Sequence, residues 1–355
     1  MIRLRRRQLG AALIGATAAA CARTSPSAEA GAIQLPAREI PPPRSLSEAA
    51  QNALRAGASR PSFPTPAADN IAGWRLSVAT VNAMMDGYIE QMAANPEIVL
   101  RTVPIAGVDV YTAMRVNADA AERERIHLYL HGGAWVYGSG RRVIIPAVVS
   151  ALHFGGVVHA PDFRLPPDHP APAAIEDCVA VYRALLEQHA PQNILVSGES
   201  SGGNIAAGLM HKIKDDGLPK PGALFLNTPV TDISGESDSL VANLGLDLVL
   251  GSGVGAAPQL YLGGGDPNHP YVSPLRGELA DAFPPTYLRT GTRDLLLSDT
   301  VRLHAALRKA GVEADLFVGE AMPHAGFAIL AGVETPEDID AREDTVRWLA
   351  RHWRA

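Results

Sequence analysis

One stretch constrains the fold more than any other: Asn193-Ile194-Leu195-Val196-Ser197-Gly198-Glu199-Ser200-Ser201-Gly202-Gly203-Asn204. Its first half is apolar and branched, the pattern of a buried strand. Gly-x-Ser-x-Gly follows, and the alanine-rich run from Ile205 to Met210 reads as a helix. Strand, tight turn and helix in that order hold the central serine in a strained backbone conformation. Gly198 and Gly202 are needed because a Cβ there would collide with the neighbouring strand and helix. The turn lifts the Ser200 hydroxyl above the sheet and aims a helix N-terminus at it, which favours a developing oxyanion. In a chain with 33 glycines the motif alone is weak. A turn serine that only caps a helix would explain it equally well, so the decision rests on partners elsewhere in the chain.

The remaining pattern alternates. Strand-like runs are Ile98 to Ile105, Val108 to Val116, Ile126 to Leu130, Gly156 to Ala160, Gly222 to Asn227, Pro285 to Thr290 and Ala314 to Val318. Helical patterns cover Ile71 to Ala94, Ile144 to Leu152, Ala173 to Gln188, Thr300 to Ala310 and Pro336 to His352. Before these, Ser45-x-x-Glu48 has the form of a capping box opening a helix through Leu54. Such alternation implies an α/β chain: a mostly parallel sheet with helices on both faces. Thr231 to Gly265 is glycine-rich and weakly patterned, which suits a mobile lid over 232–265. Residues 45–95 carry the N-terminal helical patterns, and 96–355 the alternating strands and helices.

Composition excludes some classes. A 47% hydrophobic chain of 355 residues can bury a sizeable core, and a net charge of −6 leaves no basic face for nucleic acid. Cys21 and Cys178 are the two cysteines. No Cys/His spacing resembles a zinc site, so no metal is expected, and Cys178 falls in a helical pattern as a small core residue. Residues 1–21 read as a targeting segment. Arg3, Arg5, Arg6 and Arg7 precede an apolar run from Leu9 to Ala20 that is too short to span a bilayer. Arg6-Arg7-Gln8-Leu9 resembles a twin-arginine signal. Ala18-Ala19-Ala20-Cys21 resembles a lipoprotein cleavage box, with plain cleavage after an Ala-x-Ala as the rival. The expectation is export, either to the periplasm or to a membrane tether through lipidated Cys21, with a disordered or extended tether over 22–44.

A serine hydroxyl needs a base at hydrogen-bond distance and a third group to orient that base. On sheets with this elbow the chain order is Ser, then Asp or Glu, then His. Asp294 follows the strand ending at Thr290, and His324 follows the last strand; both stand at carboxyl ends of strands, on the elbow's edge of the sheet. Asp299 competes with Asp294, but its position in the following helix suits a carboxylate facing the dipole. His131-Gly132-Gly133-Ala134 after the strand at Ile126 frees backbone N–H groups, so Gly133, Ala134 and Ser201 are the expected oxyanion donors. His131 is expected to hold that loop rather than transfer a proton.

His131-Gly132-Gly133-Ala134-Trp135, Phe163-Arg164-Leu165-Pro166-Pro167-Asp168-His169-Pro170, Gly198-Glu199-Ser200-Ser201-Gly202-Gly203 and Met322-Pro323-His324 together resemble the bacterial hormone-sensitive-lipase family (family IV) of esterases. The resemblance covers roughly residues 95 to 352. It implies an α/β-hydrolase fold with a helical cap, and hydrolysis of short-chain carboxylic esters by Ser200, Asp294 and His324 without a cofactor. Three departures stand out. Ala134 replaces a preferred Gly, Glu199 and Ser201 replace Asp and Ala, and Leu295 rather than Pro follows Asp294. None removes a catalytic atom, so they bear on substrate preference. Lactone hydrolysis, peptide hydrolysis, long-chain lipolysis and a catalytically silent ligand-binding role are the alternatives, and homo-oligomer formation stays open.

Overall fold

The computed structural model describes residues 32–354 apart from 34, 60–64 and 252. The targeting segment, Cys21 and the first part of the tether lie outside the described residues. Pro42–Ala355 forms one compact unit.

Its apolar branched runs become strands β1 (Ile98–Ile105), β2 (Val108–Arg115), β3 (Ile126–Leu130), β4 (Val157–Pro161), β5 (Ile194–Glu199), β6 (Ala223–Asn227), β7 (Thr286–Gly291) and β8 (Ala314–Gly319). They join one sheet in the order β1-β2-β4-β3-β5-β6-β7-β8. β1 and β2 are an antiparallel hairpin, β2 pairs β4 antiparallel, and every other pairing is parallel. Parallel neighbours require long crossovers, and helices fill them. In chain order the helices are α1 (Glu48–Gly57), α2 (Ile71–Ala93), α3 (Ala120–Glu124), α4 (Ile144–Phe154), α5 (Ala173–Leu186), α6 (Ser201–Asp215), α7 (Ser239–Ala242), α8 (Ala257–Leu262), α9 (Leu297–Lys309), α10 (Ala328–Ala331) and α11 (Pro336–His352).

The period of two along each strand divides the core. Ile194 and Val196 of β5, with Leu224 and Leu226 of β6, pack among Cys178 of α5 and Ile205 and Leu209 of α6. Leu195, Ala223 and Phe225 belong instead to the cluster with Trp348 and Leu349 of α11. With both faces covered, the central strands are buried along nearly their whole length, as the mostly apolar runs require. α4 lies on β2 and β4 and receives Ile89 of α2.

One expectation needs correction. The N-cap of α1 is Ser47, not Ser45: its hydroxyl accepts from Ala50 N at 3.2 Å, and the helix runs on to Gly57. The choice is made far away in sequence, because Glu337 of α11 accepts from both Ser47 N and Ser47 Oγ, at 2.6 and 2.8 Å. The weakly patterned stretch after Thr231 contains α7 and α8 and is anchored by buried carboxylates. Asp299 of α9 accepts from Thr231 N at 2.6 Å and Asp232 N at 3.1 Å, and also from the Ser237 hydroxyl. Asp232 in turn holds Arg276 and Arg302 at 3.1 and 2.9 Å.

Candidate active site

The elbow between β5 and α6 places Ser200 at φ +57° and ψ −122°, a conformation that a non-glycine residue keeps only when its surroundings over-determine it. They do so here. A Cβ on Gly198 would run into the Gly202 carbonyl, and one on Gly202 into the carbonyls of Leu130 and His131. Ser200 N donates to Asn227 O at 2.9 Å, tying the elbow to the end of β6.

The loops after β7 and β8 are zipped together. Thr292 N donates to Gly319 O at 2.9 Å, Arg293 N to Met322 O at 3.2 Å, and Ala321 N to Thr292 Oγ1 at 2.7 Å. This brings Asp294 and His324 side by side. Asp294, fully buried, accepts from Thr290 Oγ1 at 2.6 Å and from Leu296 N at 2.9 Å. Its remaining contact is His324 Nδ1, 3.0 Å from Oδ1. A carboxylate only accepts, so the imidazole proton sits on Nδ1. The lone pair of Nε2 is then left facing Ser200 Oγ at 2.9 Å. The three residues separated by 124 positions in sequence are thus brought together, and Asp299 is not among them. Burial works against charging His324. The charge and hydrogen bond of Asp294, backed by the charges of Asp247 and Glu199, outweigh it and hold the imidazole above its ordinary value.

Gly133, Ala134 and Trp135 all have positive φ, at +119°, +51° and +59°. Val136 N and Tyr137 N both donate to Gly133 O, at 3.0 and 2.8 Å, which closes the loop. Among the described residues the N–H groups of Gly133 and Ala134 are given to no hydrogen-bond partner. Both residues line the same cavity as Ser200, Ser201 and His324. His131 stacks on Phe163 with ring centroids 4.2 Å apart. Burial pushes it down to about 4, so it is neutral near pH 7, and its Nδ1 lies 2.8 Å from the Gly132 carbonyl of the loop.

That cavity has a volume of about 570 Å³. Val81 and Met85 of α2, and Leu250 and Val254 of the stretch after Asp232, give it an apolar wall. Arg142 contributes a cation to the lining, with its Nη2 on the Ser139 carbonyl and its Nε without a partner among the described residues.

A second serine–histidine pair, Ser197 Oγ to His127 Nε2 at 2.6 Å, lies within the sheet. Among the described residues His127 Nδ1 is buried without a partner and no carboxylate orients this ring, and burial, with His159 adding to it, pushes the imidazole down to about 3. It is a core contact.

Sequence reasoning assigned no role to Asn204 or Asp247. Asn204 accepts from Trp135 Nε1 at 3.1 Å and donates to Val230 O and Val272 O at 3.1 and 2.9 Å, linking the loop after β3 to α6. Its only signal was a polar residue inside an otherwise apolar helical run. Asp247 had no signal at all.

Comparison with known proteins agrees with this geometry. The alpha/beta hydrolase fold family matches residues 127–328. An acetyl-hydrolase of Streptomyces hygroscopicus is 35% identical over 211 residues, 57% of this chain and 70% of that protein. An esterase of Acinetobacter venetianus is 32% identical over 243 residues, covering 67% of this chain and 78% of its own. The crystal structure of esterase E25 superposes with a TM-score of 0.80 at 35% identity, over 91% of this chain and 99% of that one. An esterase of the bacterial hormone-sensitive-lipase family superposes at 0.72 with 28% identity, over 86% and 99% of the two chains. Fold, loop order and these likenesses converge on one conclusion: the chain is an ester hydrolase belonging to the bacterial hormone-sensitive-lipase family (family IV) of carboxylesterases, within the α/β-hydrolase superfamily.

Proposed function

We propose that this esterase cleaves short-chain carboxylic esters through an acyl-enzyme on Ser200. The reading is carried by the unbroken path from Ser200 Oγ through the His324 ring to Asp294, with steps of 2.9 and 3.0 Å. His324 Nε2 takes the hydroxyl proton as Oγ attacks the ester carbonyl. Asp294 fixes the tautomer and stabilises the imidazolium. The N–H groups of Gly133, Ala134 and Ser201 hold the tetrahedral oxyanion, Ser201 as the first residue of α6. His324 then protonates the leaving alcohol, and water repeats the sequence on the acyl group. α2 and the stretch after Asp232 act as cap and lid, because their side chains close the cavity over Ser200. A cavity of about 570 Å³ suits a small acyl group and a modest alcohol.

Ser200→Ala is expected to lower turnover of p-nitrophenyl butyrate by about four to six orders of magnitude while leaving the melting temperature near wild type. A variant retaining near wild-type rate would remove Ser200 from the reaction. Across p-nitrophenyl esters of graded length, kcat/KM is expected to peak at short acyl chains; a maximum at long chains would overturn the chain-length reading. We further propose export with lipid attachment at Cys21, supported by the arginines and the Ala-Ala-Ala-Cys sequence. Mass spectrometry of the membrane-fraction N-terminus tests it, and an unmodified or cytoplasmic N-terminus refutes it.

A further inference from the structure

A second carboxylate reaches the His–Asp pair from the chain between α7 and α8. Asp247 is fully buried. Its Oδ2 accepts from Leu295 N, the residue after Asp294, at 2.8 Å. Its Oδ1 accepts from Val249 N and Leu250 N at 2.9 and 3.2 Å and receives a long contact from His324 N at 3.4 Å. One oxygen of Asp247, one of Asp294 and a ring nitrogen of His324 lie within 4.8 Å of one another. Asn243, four positions earlier, donates from Nδ2 to Asp294 O at 2.8 Å. The segment is therefore stitched to both catalytic loops through one carboxylate and one amide.

We propose that Asp247 is a positioning residue for the ester-hydrolysis reaction: it locks the acid and histidine loops in register and its charge supports the imidazolium that His324 becomes. The inference rests on the reading of Ser200, His324 and Asp294 given above. A neutral acceptor would suffice for register alone. A buried charge costs several kcal/mol unless donors and an opposite charge offset it. Here main-chain N–H groups supply donors, and the opposite charge arises only when His324 is protonated. Burial pushes Asp247 above the usual carboxylate range and Asp294 adds to this, while charged His324 and the N–H groups of Leu295 and Val249 pull it back. The charged groups facing His324 are Asp294, Asp247 and Glu199, the last held by Asn227 Nδ2 at 2.6 Å. Each favours the protonated ring, against burial.

The test compares Asp247→Asn and Asp247→Ser with wild type, using kcat/KM for p-nitrophenyl butyrate as a function of pH alongside a melting curve. Removing one supporting charge is expected to lower plateau kcat/KM about ten- to a hundredfold. It is also expected to move the acid limb to lower pH, because His324 then holds its proton less tightly. A folded variant whose activity falls while the acid limb stays in place would show a structural role only and overturn the proposal. So would failure of both variants to fold, since Asp247 would then be a folding requirement. Labelling of wild type by a fluorophosphonate separates the two readings. An unlabelled wild type removes the serine mechanism itself, whereas a labelled wild type with an unmoved acid limb in the variants removes only the role of Asp247.

Discussion

Ser200 and His324 illustrate how a single proton position follows from acceptor chemistry. Asp294 can only accept, Thr290 and Leu296 occupy its other lone pairs, and the Nδ1 proton has one place to go. Because the surrounding carboxylates hold His324 above its ordinary value, the neutral base is lost at a higher pH than for a free histidine. Activity should therefore fall as pH drops through that raised value, with an acid limb above the ordinary imidazole range near 6.5. A kcat/KM profile checks this, and an acid limb below 6.5 would contradict it. Asn204 makes a second case. Its amide spends three hydrogen bonds on Trp135, Val230 and Val272, all buried. Asn204→Ala should cost about 2–4 kcal/mol by urea unfolding, since it strands an indole N–H and two carbonyls. It should also lower kcat more than it raises KM, because Trp135 is part of the loop that presents the Gly133 and Ala134 N–H groups. An unchanged kcat would show that the loop holds its shape without Asn204.

The strands were legible because burial on both faces leaves each one a short apolar run, and all eight observed strands lie within a residue or two of their expected limits. Helix ends were less so. The start of α1 is decided by Glu337, 290 positions away, and no local pattern carries that. The stretch after Thr231 was harder still. Its helices are short and its order comes from Asp299 and Asp247, whose partners are backbone N–H groups that any sequence would supply. Asp299 read correctly as a carboxylate in the first turn of α9, but its anchoring of the stretch after Thr231 could not be foreseen. Asp299→Ala would leave Thr231 N and Asp232 N unpaired and the Ser237 hydroxyl without its acceptor. Hydrogen exchange across 231–247 should then rise about tenfold or more, ahead of exchange in β5 and β6. Equal protection in variant and wild type would mean that Asp232 with its two arginines anchors the stretch alone.

Ser200, Asp294 and His324 could be found in the sequence because each follows a strand on one edge of the sheet, so topology does the gathering; Asp247 and Asn204 could not, because only the folded chain makes them neighbours of that edge. The same folding buries imidazoles that composition treats as ordinary. His127 is held at about 3, and His131 and His159 at about 4, in each case chiefly by burial. Their folded values lie below the unfolded one, so the unfolded chain binds more protons between pH 6.5 and about 4, and stability must fall as pH falls through that window. From pH 6.5 to 5 each contributes roughly 2 kcal/mol of loss, at 1.36 kcal/mol per unit. His324 does not offset this: its raised value gives a contribution already complete below 6.5. Asp247 and Asp299, held above the usual carboxylate range, act in the opposite sense, since the folded state takes up their protons from the raised values downward. Against a total of about 5–15 kcal/mol, three such imidazoles are a large share of the stability that acid removes. Urea midpoints should decline from pH 6.5 to 5, and His127→Gln should flatten the slope. A midpoint that stays constant over that range would show that these rings are charged, or hydrated, inside the fold.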